Sequence, residues 1–176
     1  MTRLDSFGRS AAFAAVAALA WMPWLVVVGP VLGGGAARTL YLVVVTALYA
    51  GGLAKSPPRR ASTAVGMALA GTFLALLTRG GPELCVALAA TLGVARSVLT
   101  HRTAALRAVV LEGVLLAGGL AFARFLGGGA LAVWGFFLVQ SCFFLVGGVT
   151  ERAPLRSDPF DEAWARAMDM MERPLR

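Results

Sequence analysis

The chain has 176 residues, of which 59% are apolar and only 14% charged. An ordinary soluble domain is nearer half apolar and a quarter charged, so this composition excludes a disordered chain, a nucleic-acid-binding domain and a typical soluble enzyme. The formal net charge of +7 has to be read against membrane topology first, because membrane proteins collect Lys and Arg on one side.

The absence of Ile and Asn and the single lysine, Lys55, are what a GC-rich genome would produce. Cys85 and Cys142 are too few for a disulfide framework and read as small apolar residues.

A bilayer core takes roughly 20 mainly apolar residues as helix. Six stretches qualify: 11–31, 39–54, 61–78, 82–99, 104–126 and 130–150. The second is short unless it continues into the Gly33, Gly34, Gly35 turn. With the N-terminus in the cytoplasm, thirteen of the sixteen basic residues fall on the inner side. Arg38, Arg79 and Arg124 are the three on the outer side. The bias recurs at every inner loop, so both termini are expected inside.

The expected fold is therefore an all-α integral membrane protein of a bacterial inner membrane. Residues 1–10 form a cytoplasmic N-terminus and 11–150 a six-span bundle. A linker at 151–157 leads to a cytoplasmic amphipathic helix at 158–173. A cleaved signal peptide ending near Ala18, Leu19 and Ala20 is the alternative for the first span, although the apolar run continues past Trp24.

Small residues recur four apart at Ala11/Ala15, Ala14/Ala18, Gly66/Ala70, Ala89/Gly93 and Gly113/Ala117. Such rows let helix backbones approach closely, either inside the bundle or against a second membrane protein. The string Leu-Gly-Gly-Gly-Ala occurs at 32–36 and 126–130, in both cases in an outer turn. Its surroundings do not repeat, which marks a reused turn and not a duplicated half.

Ionisable groups inside a membrane are costly, so each is a candidate site. Glu112 is the one acid well inside a span, about 12 Å in from the start of its helix. Arg107 is five residues away on the same helix and poorly placed to pair with it. Arg96 on the preceding span is the better partner, and Gln140 lies at similar depth on the last span. Arg96, Glu112 and Gln140 form either a polar cluster that handles a solute or proton, or a tie that fixes helix packing.

Enzymatic chemistry is not expected. His101 is the single His and sits in a basic turn beside Arg102, and no metal-ligand spacing or activated nucleophile is evident. No cofactor and no metal is expected.

The tail carries the clearest pattern. Asp158 suits an N-cap and Pro159 the first helical position, and Pro174 stops the helix. Phe160, Ala163, Trp164, Ala167, Met168 and Met171 make one apolar stripe. Residues 158–176 hold five acids and three Arg, which an anionic membrane surface would repel. A groove on another protein is the expected target of Phe160, Trp164, Ala167, Met168 and Met171. Docking onto the chain's own basic loops is the alternative.

In size and span number the chain resembles the substrate-binding membrane subunits of vitamin transporters. Ala11/Ala15 and Ala14/Ala18 match the Ala-x-x-x-Ala face on which those subunits seat their transducing partner. The layout is also similar to a small membrane subunit of the cell-elongation machinery, but the Gly-Leu-x-x-Asp pattern of that family is missing.

The expectation is a non-catalytic polytopic subunit or regulator that contacts membrane lipid and docks a cytoplasmic protein through its tail. It would not bind nucleic acid. The alternative is a small transporter or substrate-binding subunit using the cluster around Glu112.

Overall fold

The computed structural model describes residues 4, 6–54, 56–79, 82–100 and 105–146, and the side chains of all of these but 82, 97–100, 105–109 and 146. The described residues form an all-helical bundle: α1 (Phe7–Leu32), α2 (Gly34–Leu53), α3 (Pro57–Leu77), α4 (Pro82–Thr100), α5 (Ala105–Phe125), α6 (Gly129–Ser141) and the single turn α7 (Phe143–Val146). Among the described residues three helices are long and apolar enough to cross a membrane, namely α1, α2 and α3. The tail stripe at 158–173 and its Phe160, Trp164, Ala167, Met168 and Met171 lie outside the described residues, as do His101 and Arg102.

Local chemistry moves several helix starts from the positions read off the apolar runs. The Ser6 side chain accepts the Arg9 amide and starts α1 at Phe7, four residues before the apolar run begins. Ser56 precedes Pro57, whose missing N–H costs nothing at a helix start, so α3 also begins four residues early. At the first glycine string only Gly33 takes a positive φ, 80°. It ends α1, and α2 starts at the next residue, which removes the shortfall of the second span. At the second string Gly127, Gly128 and Gly129 all have positive φ, backbone that side chains rarely tolerate. The two identical strings therefore do different work.

The helices run up and down. Tyr41 donates its hydroxyl to the Ala17 carbonyl, and the Trp24 indole donates to the Ala37 carbonyl at 2.9 Å, pinning α2 antiparallel to α1. The α1 helix also packs along α6, which closes the bundle. The α2 helix is its buried centre, with Tyr41, Val45, Tyr49 and Ala50 in the core. Where α2 meets α3, a Cβ on Gly51 would stand 2.9 Å from both the Ala64 Cβ and the Arg60 carbonyl oxygen, so only glycine permits the approach.

The outside is apolar. Val16, Leu19, Val26 and Val31 on α1 and Val65, Leu69, Phe73 and Leu76 on α3 are all exposed. The small-residue rows divide: Ala14, Ala89 and Gly93 are buried inside the bundle, whereas Gly66, Gly113 and Ala117 face outward.

Candidate functional site

Arg96, near the end of α4, is completely buried. Burying a guanidinium is expensive unless its charge and its N–H groups are met. Glu112 on α5 meets the charge: its Oε2 lies 2.6 Å from Arg96 Nη2. The same nitrogen donates to Gln140 Oε1 on α6 at 2.5 Å. Nη1 donates to the Gln140 carbonyl oxygen at 3.1 Å. The Gln140 amide nitrogen in turn donates to the Leu115 carbonyl at 2.9 Å, tying α6 back to α5. The three residues expected to cluster are thus in direct contact.

That Gln140 carbonyl sits where the helix turns, and it accepts from Arg96 as well as facing the Cys142 amide. The chain turns at Cys142, whose amide points back at Val139 and Gln140, and α7 begins afresh at Phe143. A continuous helix would have engaged the Gln140 oxygen with an amide four residues on. The same turn lays the Phe143 ring against Arg96, with the guanidinium carbon 4.6 Å from the ring centroid, a cation–π contact. Arg96 Nε is buried and has no hydrogen-bond partner among the described residues.

Two glycines make room. A Cβ on Gly119 would stand 2.9 Å from Gln140 Nε2 and 3.0 Å from the Phe136 ring. One on Gly93 would approach Leu116 Cδ1 to 2.9 Å and Glu112 Oε2 to 3.6 Å.

A second polar chain adjoins the first. The Ser141 hydroxyl, next to Gln140, lies 3.0 Å from the Ser10 hydroxyl on α1 and 2.8 Å from the Phe137 carbonyl, with a single proton to share between them. The Ser10 and Tyr49 hydroxyls, on α1 and α2, are 3.0 Å apart. All three residues are fully buried. Together the two chains join α1, α2, α4, α5, α6 and α7 at one level of the bundle.

Reasoning from sequence missed Ser10, Tyr49, Ser141 and Phe143. The first three carried a usable signal, since hydroxyls inside apolar helices need interhelical partners. Phe143 carried none, because its position depends on the break at Cys142. Arg107, set aside as a partner for Glu112, has no described side chain.

Chemically the cluster is an ion pair with its solvent removed. Among the described residues no group of three His, Cys, Asp or Glu stands close enough to hold a metal ion. The two cysteines are unpaired, Cys85 exposed and Cys142 half-buried. No protein-family model, curated protein or solved structure matches the chain.

Proposed function

We propose that this protein is a six-span inner-membrane subunit or regulator, with both termini cytoplasmic, that docks a cytoplasmic protein through its C-terminal amphipathic helix. The observation that carries the reading is the buried pairing of Arg96 with groups on α5 and α6. Arg96 and Gln140 are wholly buried, and Arg96 donates to both Gln140 and Glu112. Charges spent on each other in this way serve helix packing. The apolar stripe of Phe160, Trp164, Ala167, Met168 and Met171 then becomes the surface with the most to offer a partner.

Placement in a membrane is supported by the outward-facing apolar side chains of α1 and α3 and by the length of α1, α2 and α3. The inside orientation is supported by thirteen of sixteen basic residues lying on one side. The test is gentle-detergent co-purification with and without residues 158–176. Loss of the same partner on truncation supports docking. An unchanged partner set removes the basis for it.

A second reading makes the cluster the working site of a small transporter or substrate-binding subunit. The unmet Arg96 Nε favours it, since an orphaned buried donor is where a ligand or water would bind. Under that reading Glu112→Gln abolishes uptake in protein that still folds. Under the first it changes stability alone.

A further inference from the structure

The bundle holds a partly open cavity of about 210 Å³, set towards the end where the second glycine turn lies and away from the polar cluster. Its walls come from five helices: Trp21 on α1, Thr46 on α2, Leu88 on α4, Leu120 on α5 and Phe137 on α6 are among them. Along α6 it extends from Gly129 to Phe137, roughly 12 Å at the usual helical rise. Its floor is in the core, where Trp21, Leu88 and Phe137 are buried. Cys85, in the first turn of α4 and also on its wall, is exposed, so the space is open to the outside at this end of the bundle.

We infer that this cavity is a binding site for a single hydrocarbon chain of a membrane lipid. Three features select that ligand. The lining is almost wholly apolar, with the Thr46 hydroxyl, the Cys85 thiol and the Trp21 indole N–H as its side-chain polar groups. An ordered water needs two to four polar partners, and a polar solute needs more, so neither is well held there. The volume exceeds the roughly 150 Å³ of an apolar cavity that stays dry and takes up benzene. It is far larger than the voids that close-packed interiors ordinarily contain, and elsewhere this bundle packs tightly enough to require glycine at Gly119 and Gly135. A hollow that runs roughly 12 Å along α6 and is open to the outside suits a flexible chain better than a compact molecule. The inference rests on the membrane placement proposed above.

Trp21 makes the test direct, because it lines the cavity and is shielded from the outside. The full-length protein, with Trp24, Trp134 and Trp164 replaced by Phe, is reconstituted into phosphatidylcholine vesicles with and without bromine on the acyl chains. Bromine quenches only the tryptophans that it touches. A second protein lacking all four tryptophans and carrying Phe73→Trp on the exposed face of α3 reports contact with bulk lipid.

The expected result is that Trp21 loses most of its emission in brominated vesicles and recovers it when Ala132→Phe or Ala123→Phe fills the cavity from α6 or α5. If one filled variant does not fold, the other carries the comparison. Quenching of the Phe73→Trp reporter with no quenching of Trp21, or equal quenching of Trp21 in the filled variants, overturns the inference. No quenching of either reporter overturns the membrane placement, and the lipid ligand with it.

Discussion

Arg96 and Glu112, sixteen residues apart on adjacent antiparallel helices, share a 2.6 Å ion pair from which solvent is excluded. Because both ends are buried, the pair behaves as a unit. Removing one member leaves a charge stranded in a low-dielectric interior, which typically costs about 3–5 kcal/mol. Glu112→Leu should therefore lower the melting temperature in detergent sharply. Adding Arg96→Met should restore part of the loss, since an apolar pair of similar volume carries no stranded charge. A double variant less stable than either single one would show that Arg96 matters mainly through Gln140 and Phe143.

The serine–tyrosine chain predicts a smaller, coupled effect. Tyr49→Phe removes the hydroxyl that meets Ser10 but leaves Ser10 its contact with Ser141. The expected loss is about 1 kcal/mol. Combined with Ser10→Ala, the cost should be less than additive, measured as a double-mutant cycle on denaturant unfolding in mixed micelles. Strict additivity would mean that the two hydroxyls do not share a bond.

Glycine substitutions should separate by what their new methyl group meets. Gly51→Ala drives a Cβ into the Arg60 carbonyl and the Ala64 Cβ, both at 2.9 Å, and neither is the flexible end of a long side chain. Overpacking of this kind costs about 1–3 kcal/mol. Gly113→Ala meets nothing within 4 Å, so it should be neutral or stabilising by up to about 1 kcal/mol through lower backbone entropy. Equal melting temperatures for the two variants would contradict the α2–α3 packing described here.

Orientation is checked with a membrane-impermeant thiol reagent on intact cells. In a background carrying Cys85→Ala and Cys142→Ala, Arg38→Cys should label from outside. Ser56→Cys should label only after the membrane is opened. The reverse pattern would invert the proposed topology.

For the tail, Trp164→Ala and Met168→Ala should each weaken capture of the cytoplasmic partner. A central aromatic anchor is commonly worth about 2 kcal/mol or more, so retention of the Trp164 variant should fall by at least roughly tenfold. Undiminished capture in both variants would move the contact elsewhere.

How far the sequence reached can be judged residue by residue. The helices were legible because long apolar runs leave few other ways to satisfy the backbone. Their ends were less so: α1 and α3 start four residues early, where the Ser6 cap and Pro57 at the first helical position open the helices in polar flanks that hydropathy reads as loop. The company of Arg96, Glu112 and Gln140 was also legible, since deep polar groups in an apolar bundle have hardly anyone else to pair with.

Tertiary structure decided the rest. At the turn around Cys142 the Gln140 carbonyl accepts from Arg96 and the Phe143 ring lies against the guanidinium, and no local pattern announces it. Ser10, Tyr49 and Ser141 become one chain only when α1, α2 and α6 lie at the same level. The two identical glycine strings diverge in backbone, with a positive φ at Gly33 alone in the first and at Gly127, Gly128 and Gly129 in the second. The excess of apolar residues and the scarcity of charge fixed what kind of fold was open to this chain. Which charges cancel each other, and where an apolar hollow remains, depended on how the helices met, because both are properties of distances between segments far apart in the chain.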